Sequence, residues 1–400
     1  MMNKEKFLKL KEIVLYILGV SLFINFNITK ISLGFIFVFI LIDIFYFKEK
    51  MEFGNKKLRK LVLFFIGVGI LWNFLADFNY RAVRAFLKIN QYFIITFYLY
   101  SLVKEKKEIL RKFIISIGIG YLLLFFNGIN TYFLKKDISR FEGYLGIMST
   151  ALISSIITVF SFGGILESKS KKIKIFSIFL CASSLFLLVI SQTRAALLAV
   201  ILSCFILVVI NKNIKLLLLS CISGMVLLLI FFQTPYSNRF KKNTFNIERT
   251  VQNTSNGLRV EMWKNAIWRY SQHPITGTGT KQDKKLFDKY VDMMPEDTKV
   301  QRYYKSIFEK GFDDAHSMYL NNLVYHGVFS IFQFLIFLPY FLIVLIKNLE
   351  FKYRLATFGA LISYCIYGVV WPLWRGGADP VFLWVILAIT GCSCLKNKGE

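Results

Sequence analysis

Ready-made catalytic hardware is scarce in this 400-residue chain, which has three histidines and six cysteines. None of the cysteines (Cys181, Cys204, Cys221, Cys365, Cys392, Cys394) falls in the one long polar stretch, about 233–316. That argues against a disulfide-stapled external domain. Cys392 and Cys394 have no histidine or further cysteine nearby to complete a zinc site, so all six read as small apolar helix residues. There is no Gly-Lys-Ser/Thr phosphate loop, no dinucleotide fingerprint and no Gly-x-Ser-x-Gly elbow. Those absences argue against ATP-driven transport, nicotinamide chemistry and the common hydrolases. HExxH is missing, and Asp313-Asp314-Ala315-His316 has no second histidine at ligand spacing, so no metal or other cofactor is expected. Internal repeats and midspan pairs of ionisable residues are lacking too, which counts against a secondary transporter or flippase.

Apolar residues are abundant: 56% of the chain is hydrophobic, 17% is aromatic, and the mean hydropathy is +0.53. Runs long enough to cross a hydrocarbon core of about 30 Å recur along the sequence. The expected fold is an all-α polytopic membrane protein with about twelve spans. They fall near 12–28, 31–47, 61–77, 84–103, 113–130, 146–166, 173–190, 195–211, 214–232, 317–346, 355–371 and 380–395. The N-terminal run resembles a signal peptide but is followed by no small-residue cleavage site, so it reads as an uncleaved first span. The formal net charge of +26 does not point to nucleic acid, because the lysines cluster between apolar segments rather than along one face. The lysine-rich connections, 48–60, 104–112, 169–174, 212–215 and 347–354, fall at every second position. The positive-inside rule then places them and both termini in the cytoplasm. The whole chain, 1–400, reads as one integral domain with a long external loop at 233–316 between spans nine and ten.

The external side gathers arginines instead. Arg194, in Ser191-Gln192-Thr193-Arg194-Ala195, opens a span at the outer surface, where cationic residues are normally sparse. Arg81, Arg84 and Arg375 also fall on outer connections. In the long loop, Leu258, Met262, Ala266 and Tyr270 recur every four residues with Trp263 and Ile267 beside them. That pattern predicts an amphipathic helix, preceded by Asn256-Gly257 and stopped by Pro274. Arg259 and Trp263 share one of its faces. Guanidinium is a planar fork suited to phosphate oxygens, so Arg194 and Arg259 are expected to hold an anionic lipid or lipid diphosphate. His316 sits where the loop re-enters the membrane, and Asp313 or Asp314 beside it would fix its tautomer. His273-Pro274-Ile275-Thr276-Gly277-Thr278-Gly279 reads as a tight turn rather than a phosphate loop.

These residues resemble the O-antigen ligases and the related O-antigen polymerases. The resemblance rests on Gln192-Thr193-Arg194-Ala195, on Gly257-Leu258-Arg259 leading to Trp263 and then His273-Pro274 and Gly277-x-Gly279, and on His316-Ser317-x-Tyr319-Leu320 with Gly327 beyond. Its specific motifs cover about 190–330. Ser317 departs from the pattern, since asparagine is commoner there. Tyr80-Arg81-Ala82 and Trp374-Arg375 look like positions of the ligase branch. The resemblance implies metal-independent, inverting transfer of a glycan from undecaprenyl diphosphate to a lipid A-core hydroxyl, on the outer face of a bacterial inner membrane. A polymerase extending a lipid-linked glycan is the alternative within the same superfamily. His316 would be the base, with Arg194 and Arg259 at the leaving diphosphate. Arg81, Arg375, Trp263 and Asp314 would contact substrate.

Overall fold

The computed structural model describes residues 3–77, 80–131, 140–212, 233, 254–311, 313–374 and 378–395. Every regular element among them is helical. Among the described residues, nine α-helices precede the long loop: α1 (Lys4–Ser21), α2 (Phe26–Phe45), α3 (Lys56–Asp77), α4 (Tyr80–Asn90), α5 (Ile94–Glu105), α6 (Glu108–Ile129), α7 (Ile147–Glu167), α8 (Lys171–Ser191) and α9 (Arg194–Ile210). In the loop lie α10 (Thr254–Gln272), α11 (Gly279–Asp292) and α12 (Lys299–Glu309). After it come α13 (Met318–His326), α14 (Phe329–Lys347), α15 (Arg354–Tyr367) and α16 (Asp379–Cys392).

Six of these helices, α2, α3, α6, α7, α8 and α14, are long and apolar enough to cross a membrane. The others that overlap expected spans are shorter or more highly charged, and 214–232 lies outside the described residues. Two expected spans are interrupted. The one at 84–103 breaks at a 3-10 turn, Gln91–Phe93, where Asn90 donates to the Phe86 carbonyl and accepts from Trp374 Nε1 at 2.8 Å. The one at 317–346 is two helices, because Gly327 caps α13 with φ +54 and ψ −134, a conformation open to glycine and little else. Within α14 a π turn covers Gln333–Phe337, just before Pro339. Proline has no N–H to donate back, which is a common origin of such bulges.

Exposure separates lipid-facing from packed surfaces. α2 is apolar on all sides, yet it buries a stripe containing Leu33, Ile36, Phe39 and Ile40 and exposes Ile31, Phe35 and Phe37. That is the signature of a helix with protein on one side and hydrocarbon on the other. Inside the bundle, close approach replaces the hydrophobic drive that lipid cannot supply. At Gly163 of α7 a side chain would run into the Ala356 backbone of α15. Glu167 then caps α15, accepting from Leu355 N at 2.6 Å and Ala356 N at 3.4 Å. Phe65 stacks on Phe337 with ring centroids 4.3 Å apart.

The contacts sort the connections into two ends. At one end Lys104 pairs with Glu52, Lys106 with Glu12, and Asn348 with Ser393. These lysine-rich connections therefore lie side by side. Lys11 is buried there against Asp43 at 2.6 Å. At the other end lie Arg140, Arg194, Arg259 and His316. The loop helices α10 to α12 share a small core of Met262, Phe287, Val291, Met294, Tyr304 and Phe308. α10 is therefore a packed element of the loop, and its second face reaches α13 through Ala266, Ala315 and Val324.

Candidate functional site

The site begins with how the loop is pinned to the bundle. The turn after α10 is a backbone lock against the end of α13. Thr278 N donates to Val324 O at 2.8 Å, and Val328 N donates to Ile275 O at 3.0 Å. Gly277 has φ +78 and Gly327 φ +54, and a side chain on either would strike the other strand of the lock. The Gly277-x-Gly279 pattern is thus a docking turn, as its lack of a phosphate-loop lysine suggests. Gly327→Ala is expected to lower unfolding stability by about 1–3 kcal/mol through backbone strain. Thermal unfolding in detergent checks this, and an unchanged midpoint would disprove the lock.

A second tie holds the His316 segment. Arg269, 2% exposed, donates from Nη1 to Asp283 Oδ1 at 2.6 Å and from Nη2 to the Asp313 carbonyl at 3.0 Å. Burial pushes the Asp283 carboxyl above its ordinary range, against the pull of the Arg269 guanidinium and the Thr278 hydroxyl. A buried pair of this kind adds little net stability, but breaking it costs several kcal/mol. Its effect is to fix where 313–316 lies.

His316 has φ +47, an uncommon conformation for a side chain with a Cβ. It turns the chain into Ser317, which caps α13. Asp314 is the aspartate that faces it. Its Oδ1 accepts from His316 N and from Asn321 Nδ2, at 2.9 Å for the latter, and lies 3.5 Å from His316 Nδ1. That last separation is an electrostatic contact rather than a good hydrogen bond. Asn321 completes the loop by accepting from Ala315 N at 3.0 Å. The His316 ring meets Trp371 edge-on at 5.4 Å, and Trp371 Nε1 donates to Asp379 at 3.1 Å. Asp314→Asn keeps the shape and removes the charge. It is expected to lower about tenfold the rate of a reaction in which His316 takes a proton, the equivalent of one charge-assisted contact, with substrate KM unchanged. A change confined to KM would assign Asp314 to substrate binding instead.

Three arginines converge close by. Arg140, Arg194 and Arg259 line one polar pocket with Gln192, Thr193, Tyr367 and Val370, among others. No acidic residue lines it among the described residues. Gln192 ends α8 in the left-handed conformation and Thr193 is extended, so Arg194 becomes the first residue of α9. The N-terminal end of a helix carries partial positive charge, a poor place for a cation and a good one for an anion. Arg140 is oriented by donating to Ser191 O at 3.1 Å and Thr193 Oγ1 at 3.0 Å. The cavity is small, about 30 Å³, enough for oxygen atoms rather than a sugar. It fits a contact point for phosphoryl oxygens.

One short segment joins the two clusters. At the end of α15, Tyr367 and Val370 line the arginine pocket, Gly368 O accepts from Met318 N at 2.7 Å, and Trp371 meets His316. The structure therefore brings together Arg194, Arg259, His316 and Asp314 of the residues expected from sequence. Trp263 lies one turn beyond Arg259 on α10 and is partly buried, with its Nε1 unpaired among the described residues. Arg81 is exposed at the start of α4 and does not line the pocket. Arg375 lies outside the described residues. Arg140, Arg269, Asn321, Tyr367 and Trp371 were not anticipated. Arg140 carries the same signal as Arg194, an arginine on a connection that the lysine pattern assigns to the outer side. Among the described residues, no three His, Cys, Asp or Glu side chains gather as a metal site would need.

A family model described as O-antigen ligase matches residues 179–335. That stretch contains Arg194, Arg259, Arg269, Asp314 and His316, while Arg140 and 367–371 lie beyond it. Over that stretch, less than half of its length, the chain is similar to the O-antigen ligase family. No curated protein matches the chain.

Proposed function

We propose that this protein is an O-antigen ligase-like glycosyltransferase of the bacterial inner membrane. The donor is a glycan on undecaprenyl diphosphate, and the acceptor is a hydroxyl of a lipid A-core sugar. The lysine-rich end and both termini face the cytoplasm, and the loop at 233–316 and the arginine cluster face outward. The carrying observation is the pairing of an arginine pocket with His316 across the 367–371 segment.

In this reading the diphosphate rests against Arg140, Arg194 and Arg259. The acceptor hydroxyl loses its proton to His316, and its oxygen bonds to the anomeric carbon. The bond from that carbon to the diphosphate oxygen breaks, and the electron pair leaves with the diphosphate. Charge grows on that oxygen as the bond breaks, and fixed guanidiniums stabilise such charge most. The displacement is a single step with no covalent glycosyl intermediate, so the anomeric carbon inverts. The metal-free chemistry follows from arginine doing the work of a cation.

The test is transfer by the purified protein, with EDTA present, from a lipid-diphosphate glycan to lipid A core. Labelled core supports the ligase reading. Lengthening of the lipid-linked glycan without labelled core assigns the protein to the polymerases. Lipid movement between leaflets with no new glycosidic bond overturns both.

A further inference from the structure

Opening at the lysine-rich end and running along α7 from Ser168 to Ile153, an apolar groove of about 550 Å³ is lined by α6, α7, α8, α15 and α16. This lies in the range of ligand sites, 300–1,000 Å³. Its walls are mainly isoleucine and phenylalanine. Its rim carries three exposed cations from three segments, Arg111 in the first turn of α6, Lys172 in the first turn of α8 and Lys352 just before α15. No acidic residue lines it among the described residues.

Three buried residues with hydroxyls line this space, Ser161, Ser177 and Thr357, and the first and last stand out. Ser161 is 2% exposed and Thr357 1%, and neither has a hydrogen-bond partner among the described residues. A helical serine or threonine commonly bonds back to its own helix, as Thr158 and Ser184 do here. From their distance to the ends of α7 and α15, they sit about 5–9 Å inside the rim. The order from outside inward is therefore cation, hydroxyl, hydrocarbon.

We propose that this cavity binds an anionic phospholipid. Its phosphate meets Arg111, Lys172 and Lys352, its ester oxygens accept from Ser161 and Thr357, and one acyl chain fills the apolar part. The charge of the rim selects the headgroup, and the anionic leaflet on the lysine-rich side supplies it. The proposal stands apart from glycan transfer, and its test contains no glycan.

The full-length protein is reconstituted with equal phosphatidylglycerol and phosphatidylcholine, then released into detergent and weighed intact by native mass spectrometry. The wild type is expected to retain phosphatidylglycerol over phosphatidylcholine by about tenfold or more. The R111Q/K172Q/K352Q variant is expected to retain the two equally. Gly118→Leu is expected to lose both, because a Cβ at 118 has room, 3.7 Å from Phe176 Cζ, and the longer chain would enter the cavity. Equal retention by the wild type overturns the proposal, as does wild-type selectivity in the charge variant. If either variant fails to fold, salt titration of the wild type decides. Selectivity that fades with salt supports the rim, and selectivity indifferent to salt overturns it.

Discussion

Replacing His316 with asparagine is expected to lower glycan transfer by about 10²–10⁴-fold, the contribution typical of a positioned general base. Asparagine is chosen because it tolerates positive φ, so the turn at φ +47 survives while the imidazole is lost. Alanine at the same place would add backbone strain to the chemical loss. The effect should fall on kcat with little change in donor KM, since the ring is not among the groups lining the arginine pocket. Single-turnover transfer with both substrates saturating reads this directly. Loss of less than about tenfold would reassign the histidine to structure, leaving the base to another group. Trp371→Leu provides the companion measurement. It removes the ring that packs on His316 and should lower kcat less than the His316 change does, because the base would be misplaced rather than absent.

The two ends of the bundle were readable from charge alone. Lysines between apolar runs are a positional signal that survives any error in span edges, and the contacts Lys104–Glu52 and Asn348–Ser393 put those connections side by side. The loop helix with Arg259 and Trp263 was readable because four apolar residues at helical spacing fix both element and face. It begins earlier than expected, at Thr254, so that Gly257 is inside the helix where a side chain would strike Tyr304. Span boundaries were less legible. Apolar residues recur on both sides of the turn at Gly327 and of the break at Asn90, so a hydropathy window runs across each, although 80–90 and 318–326 are more polar than the helices that follow them. The number of spans therefore rests on more than composition: six described helices meet the length and hydropathy of a crossing helix, against twelve apolar runs. The partners of the site were hidden for a different reason. Arg269 and Asp283 are 14 residues apart on different helices, and Tyr367 and Trp371 look like ordinary aromatics in an apolar segment. Only the fold shows that 367–371 reaches both clusters.

Removing both Arg194 and Arg259 is expected to reduce transfer by at least about 10³-fold, since loss of a single donor at a developing oxyanion costs about 10²–10³. The two changes should not multiply, because both guanidiniums act on one group and the second has less to lose. Arg194→Lys should recover only part of the loss. Lysine restores a point charge at the start of α9 but not the planar fork that can hold two phosphate oxygens at once. The effect divides between kcat and KM in an informative way. If the arginines hold the ground-state diphosphate and the leaving group equally, only donor KM rises; if they bind the charge that grows as the bond breaks, kcat falls. The placement of Arg194 at a helix N-terminus, with Arg140 and Arg259 beside it, favours the second outcome, since all three sources of positive potential meet at one small volume. Inorganic diphosphate supplies an independent reading. It should compete with donor for the wild type and lose that ability in the double variant, even where transfer is too slow to measure. A double variant that still binds diphosphate as the wild type does, yet transfers no glycan, would separate the arginines from the leaving group and place the diphosphate elsewhere on the outer face.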